Sequence, residues 1–144
     1  MGKINTVRVL VGGLVAGLVM NVSEAILHAG VLGADGAKLL EDWTRLGLPM
    51  DIRPSLLFWL VGITFVLGIL AVWTYAAIRP RFGAGPKTAL YAGLAVWAMS
   101  YLYAAVYIDA GIVVWPPKLT WLPVAWGLVE IPVATLLGAW VYKE

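Results

Sequence analysis

Apolar residues dominate four stretches of the chain, 7–32, 55–78, 88–108 and 121–142, and polar or turn-forming residues separate them. Each stretch reaches the roughly 20 residues that a helix needs to cross a bilayer. Backbone groups in lipid must be satisfied within their own segment, so these stretches predict helices rather than strands. Turn chemistry marks the breaks: Gly33, Asp35 and Gly36 after the first, Pro80, Gly83, Gly85 and Pro86 after the second, Pro116 and Pro117 before the fourth. Pro54 stands where a first-turn proline belongs, and Pro86 stands just ahead of the third helix.

The first loop has a helical pattern of its own. Leu39, Leu40, Trp43 and Leu46 recur at helical spacing, while Lys38, Glu41, Asp42 and Arg45 fill the opposite face. Glu41 and Arg45 form a favourable i,i+4 pair. The pattern predicts a short amphipathic helix lying on the outer membrane surface.

Composition sharpens the class. Of 144 residues, 62% are hydrophobic and only 12% charged, against about 25% charged in a typical soluble domain. A soluble domain of this length has no core large enough for that apolar surface. The expectation is one all-α, polytopic membrane domain over 1–144, with four transmembrane helices. Lys3 and Arg8 precede the first apolar run, as in a signal peptide, but the run is longer than a typical h-region and contains Glu24. It is expected to be retained.

There is no cysteine, which excludes disulfides, thiolate chemistry and cysteine-based metal sites. The net charge of +2 is too small to suggest nucleic acid. Lysine and arginine placement instead predicts orientation. Lys3, Arg8, Arg79, Arg81, Lys87 and Lys143 fall on one side; Lys38, Arg45, Arg53 and Lys118 fall on the other, diluted by Asp35, Glu41, Asp42, Asp51 and Asp109. Both termini are therefore expected in the cytoplasm.

Polar residues within the spans carry the candidate chemistry. At about 100° per residue, Gly13, Gly17, Asn21, Glu24 and His28 share a sector of roughly 80° on the first helix. Glycines there allow another backbone to approach, and the polar groups beyond them use the same protected face. On the fourth helix Pro123, Gly127, Glu130, Ala134 and Gly138 form a similar stripe, and Pro132 frees the carbonyl of Leu128. Glu24 and Glu130 each lie eight residues from the outer end of their helix, on the order of 12 Å deep. An ionised carboxylate at the centre of a membrane helix costs roughly 2.5–3.5 kcal/mol. The sequence thus predicts a shared proton- or ligand-binding cluster of Asn21, Glu24, His28 and Glu130 that holds at least one proton at neutral pH.

Trp97, Ser100, Tyr103, Tyr107 and Trp126 are the expected cavity wall, and Gly13, Gly17, Gly127 and Gly138 the expected packing positions. Trp43, Trp59, Trp115 and Trp121 read as an outer aromatic belt, and Trp73 and Trp140 as an inner one. His28 is the only histidine. A lone imidazole can ligate a haem or pigment, but a di-iron bundle needs Glu-x-x-His from two helices. No metal or cofactor is expected. With no nucleophile–His–acid arrangement or phosphate-cradling loop, an enzyme is not expected either.

The glycine-rich opening of Val11, Gly12, Gly13 and Gly17 leading to Asn21 and Glu24 resembles small uncharacterised four-helix bacterial membrane proteins of the domain-of-unknown-function type. The tryptophan-bearing outer loop and the closing run from Gly127 through Glu130 and Pro132 to Gly138 and Trp140 are similar too. The resemblance implies a bacterial inner (cytoplasmic) membrane protein and little about activity. Small multidrug transporters offer an analogy in their four helices and first-helix glutamate. The expected function is proton-linked binding or transport of a small amphipathic or cationic molecule. The alternative is a non-catalytic accessory subunit whose polar stripe docks a partner helix or binds lipid, quinone or pigment. Four short helices leave little room for a sealed path, so a homo-oligomer or larger membrane complex is expected, with membrane lipid as the other partner.

Overall fold

The computed structural model describes residues 4–48, 53–112 and 116–142. Helix α1 (Thr6–Ala25) runs into a wider π turn (Ile26–Val31), and α2 (Gly33–Arg45) follows. Helix α3 is Pro54–Phe82. Helix α4 (Pro86–Trp97) leads through a π turn (Ala98–Leu102) into the short α5 (Tyr103–Tyr107) and a last π turn (Ile108–Ile112). Helix α6 is Pro117–Val141. Four of these runs, Thr6–Val31, Ser55–Phe82, Pro86–Gly111 and Pro117–Val141, are long and apolar enough to cross a membrane. There is no strand among the described residues. The chain is an all-α, four-span membrane bundle with an amphipathic helix between the first two spans.

Local signals explain where the helices start and stop. Asn5 caps α1, its side-chain oxygen accepting from the Arg8 N–H at 3.1 Å. Proline occupies the first turn of α3, α4 and α6, where a missing N–H costs nothing. Pro86 thus begins α4 rather than preceding it. Helix α3 passes through Pro80 and continues four residues beyond the expected end at Ile78. It stops where Gly83, at φ 85°, lets the chain reverse, and where the Thr88 hydroxyl donates to the Gly83 carbonyl at 2.7 Å.

Residues 33–36, expected as a turn, form the first turn of α2 instead. Asp35 complements the positive end of that helix and accepts from Lys118 Nζ at 2.6 Å, tying α2 to the start of α6. No α2 residue is fully buried. Leu39, Leu40 and Trp43 are half-buried while Lys38, Glu41 and Arg45 are exposed, an amphipathic arrangement; Leu46, expected on the apolar face, caps the end of the helix and is 73% exposed. The expected Arg45–Glu41 pair forms at 2.6 Å. Trp115, assigned to the outer belt from sequence, lies outside the described residues.

Helix α6 is the hub and packs against α1, α3 and α4. Lipid is as apolar as leucine, so close packing rather than the hydrophobic effect holds such helices together. Small residues set that closeness. A Cβ at Gly138 would lie 2.6 Å from the Gly12 carbonyl oxygen, and one at Gly13 would lie 2.5 Å from the Ile69 Cα. One at Gly17 would meet the Phe65 Cα at 2.8 Å. Gly68 answers from α3, where a Cβ would press on the backbone of Gly13 and Gly17. These glycines bring α1 against α3 on one side and against α6 on the other.

A triad of Glu24, Tyr101 and Glu130

The glycine contact between α1 and α3 directs the stripe above it. One turn beyond Gly17, Asn21 donates from Nδ2 to the Gly17 carbonyl at 2.8 Å and to the Val61 carbonyl of α3 at 3.4 Å. The next residue of the stripe, Glu24, reaches across the bundle. Its Oε1 accepts from the Tyr101 hydroxyl. The same hydroxyl lies 3.5 Å from Glu130 Oε1. One phenol therefore stands between two carboxyls carried by helices at opposite ends of the sequence.

The two acids have different surroundings. Glu130 is 6% exposed, and its Oε2 is buried with no hydrogen-bond partner among the described residues. Glu24 is half-buried, and its Oε2 lies 2.9 Å from His28 Nδ1. That nitrogen also lies 3.1 Å from the Glu24 carbonyl oxygen. A carbonyl can only accept, so Nδ1 carries the hydrogen. His28 itself is largely exposed, which makes it the rim of the site rather than its floor.

Tyr101 owes its place to the π turn. The inward face of α4 runs through Ala89, Ala92, Gly93 and Val96. Continuing at 3.6 residues per turn would bring Ser100, Tyr103 and Tyr107 inward. The turn over Ala98–Leu102 adds one residue, which shifts the inward register to Tyr101 and the buried Ala105. Such insertions recur at functional sites. Tyr103 and Tyr107 are instead 68% and 56% exposed and stack on each other at 6.1 Å. They do not line a cavity with the acids.

Two grooves flank the triad. The first, of about 480 Å³, lies between α1 and α3; Asn21, Glu24 and His28 form its polar edge and Leu57, Leu60 and Val61 its apolar wall. The second, of about 500 Å³, lies between α1 and α6 and is lined by Ser23, Trp126, Val129 and Glu130 among others. Trp126 Nε1 donates to Ser23 Oγ at 2.8 Å across it. Glu24 thus borders one groove, Glu130 borders the other, and Tyr101 joins them.

The remaining expected site residues fall elsewhere. Trp97 packs against the core and donates from Nε1 to the Val124 carbonyl at 2.9 Å, tying α4 to α6. Ser100 borders a smaller pocket of about 210 Å³, its hydroxyl bonded back to the Val96 carbonyl at 2.7 Å. Gly127 makes room for Tyr101, whose ring would sit 2.9 Å from a Cβ there, and Gly138 meets Gly12. Sequence reasoning missed Tyr101, Ser23, Gly12 and Gly68. Of these, only the glycines carry a sequence signal, because a glycine in a membrane helix permits a close approach, although Gly62 shows that not every such glycine is used for one. Among the described residues no group of three His, Asp or Glu side chains could hold a metal ion. No known family model, curated protein or solved structure matches the chain.

Proposed function

We propose that the protein binds or transports a small amphipathic cation in exchange for a proton. The cation sits in the groove beside Glu24, and Glu130 is the second acid, reached through Tyr101. The observation that carries this reading is the single phenol between two carboxyls. A hydroxyl has one proton to give. When Tyr101 gives it to Glu24, its contact with Glu130 becomes a hydrogen bond only if Glu130 brings a proton of its own. Moving both protons one place transfers a proton between the carboxyls without moving a helix.

The groove beside Glu24 suits the ligand class. Its edge offers a carboxylate, an imidazole and an amide, and its wall is aliphatic, as an amphiphile with a positive head requires. The stripe on α1 also has its partners inside the chain: the Gly17 and Val61 carbonyls for Asn21, and Tyr101 for Glu24. That favours a ligand site over a surface for docking a foreign helix, the accessory-subunit alternative. The excess of lysine and arginine on the side of the termini supports a cytoplasmic location for both ends. The resemblance to bacterial inner-membrane proteins supports that membrane.

The test uses purified protein in nanodiscs with tetraphenylphosphonium as the lipophilic monocation probe and a pH-sensitive dye. The expected result is close to one proton released per cation bound. Cation and proton compete, so affinity rises about tenfold per pH unit while the acid is protonated and levels off above that range. Glu24→Gln abolishes both binding and release. Equal affinity at low and high pH would sink the exchange reading.

A further inference from the structure

Hydrogen-bond donors are missing from the groove beside Glu24, because each one on its wall is already spent. Among the described residues, its polar lining is Asn21, Glu24, His28, Thr64 and Tyr101. The Asn21 amide has two hydrogens, and the two carbonyls it contacts, those of Gly17 and Val61, can only accept. That fixes the orientation of the amide and uses both hydrogens. The Thr64 hydroxyl donates to the Leu60 carbonyl at 2.9 Å, and the Tyr101 hydroxyl donates to Glu24. His28 spends its Nδ1 hydrogen on Glu24. Backbone N–H groups along this wall lie within helical turns, directed along the helix axes.

What remains is a set of acceptors. Asn21 Oδ1 has no donor among the described residues, yet it is not a buried atom, so an entering ligand can reach it. In a neutral imidazole Nε2 carries no hydrogen once Nδ1 does, and it accepts; His28 is largely exposed. The Glu24 carboxylate adds lone pairs of its own. A wall of acceptors offers nothing to a quinone carbonyl, an ester or an anion. A quaternary cation satisfies the charge and leaves the acceptors without hydrogen bonds. A primary ammonium brings the charge and three N–H donors together.

We infer that the groove selects protonated primary amines with an alkyl body over quaternary cations of the same charge and chain. The head sits among Glu24, Asn21 Oδ1 and His28 Nε2, and the chain lies along Leu57, Leu60 and Val61. This selectivity rests on the cation site proposed above and adds what that site requires of its ligand. A site built to hydrogen-bond an N–H discriminates against the analogue that lacks it, because its own polar groups are then left unpaired. Asn21 and His28 are thus specificity-determining, and Glu24 supplies the charge that both kinds of cation use.

Displacement of radiolabelled tetraphenylphosphonium from the full chain in nanodiscs, at pH 8, compares hexylammonium with hexyltrimethylammonium. Both carry one positive charge and the same chain, and only the first has N–H donors. The expected result is about tenfold tighter binding of hexylammonium, the worth of one charge-assisted hydrogen bond. Asn21→Leu and His28→Phe each cut that preference about threefold. His28 is exposed, so its variant covers the case in which Asn21→Leu does not fold. The ratio of affinities is read within one protein, and a general loosening of the groove, which weakens both cations alike, does not move it. A pH-sensitive dye, read in the same titrations, separates this selectivity from the exchange itself. Equal affinities with one proton released by each cation overturn the donor requirement and leave the exchange intact. A tenfold preference without proton release upholds the donor requirement and removes the exchange. Displacement by neither cation overturns both, and a preference unchanged in both variants overturns the assigned acceptors.

Discussion

Replacing Gly68 by leucine abolishes the folded bundle, whereas the same change at Gly62, six residues earlier on the same helix, is tolerated. A side chain at Gly68 would meet the Gly13 carbonyl oxygen at 2.6 Å and the Gly17 Cα at 2.8 Å. These are backbone atoms of α1 and cannot swing aside as a side chain can. Nothing lies within 4 Å of a Cβ at Gly62. Overpacking commonly costs about 1–3 kcal/mol when neighbouring side chains adjust. Here α1 and α3 must separate, which forfeits their close packing and the Asn21 bond to Val61. Gly68→Ala is expected to lose about 3 kcal/mol, and Gly68→Leu to yield no cooperative unfolding transition at all. Unfolding in mild detergent, followed by near-ultraviolet circular dichroism, checks both variants against Gly62→Leu. A wild-type midpoint for Gly68→Leu would mean that the interface is not packed as described.

The second large effect is at Tyr101. Changing it to phenylalanine keeps the ring against Gly127 and removes only the hydroxyl. Glu130 then loses the side-chain contact it makes through Oε1, and Glu24 keeps only His28. Leaving a buried polar group unpaired costs about 1–3 kcal/mol, more for a charged one, so a loss of about 3 kcal/mol is expected. A double-mutant cycle gives the more specific signature. Glu24→Gln and Glu130→Gln should be coupled by about 1 kcal/mol in the wild-type background and additive in Tyr101→Phe. Coupling that survives loss of the hydroxyl would show that the acids communicate by another route.

Much of this architecture is legible in the sequence because the bilayer imposes it. The length of an apolar run is set by membrane thickness, so the four spans agree with the structure to within four residues at the ends. Where they differ, local chemistry outranks hydropathy: α3 runs on to the reversal at Gly83, and α6 begins at Pro117 rather than 121 because proline suits a first turn. The stripe of Gly13, Gly17, Asn21 and Glu24 is legible for a similar reason. A regular helix converts spacing into direction, and α1 is regular up to Ala25.

The candidate cavity wall was less legible, and the cause is physical. Reading Ser100, Tyr103 and Tyr107 as inward assumes 3.6 residues per turn throughout the third span. One added residue in the π turn over Ala98–Leu102 rotates everything after it. That insertion answers to packing against α6, where Gly127 leaves space for a ring, and no residue within the turn announces it. Gly68 is hard to read for a different reason. Helix α3 offers no polar residue to draw attention between Pro54 and Ile78 apart from Ser55, Thr64, Thr74 and Tyr75, and its role lies in what Gly68 lacks.

The proposed exchange requires that Glu24 and Glu130 share protons through the Tyr101 hydroxyl. Infrared difference spectroscopy across a pH step, on the protein in nanodiscs, reads the carbonyl stretch of protonated carboxyls directly. Glu130→Gln identifies the band that belongs to Glu130. Proton sharing predicts that Glu24→Gln shifts the remaining Glu130 band, and that the shift vanishes when Tyr101→Phe is added. A Glu130 band at the same position with and without the Glu24 carboxyl, in protein that keeps Tyr101, would contradict it.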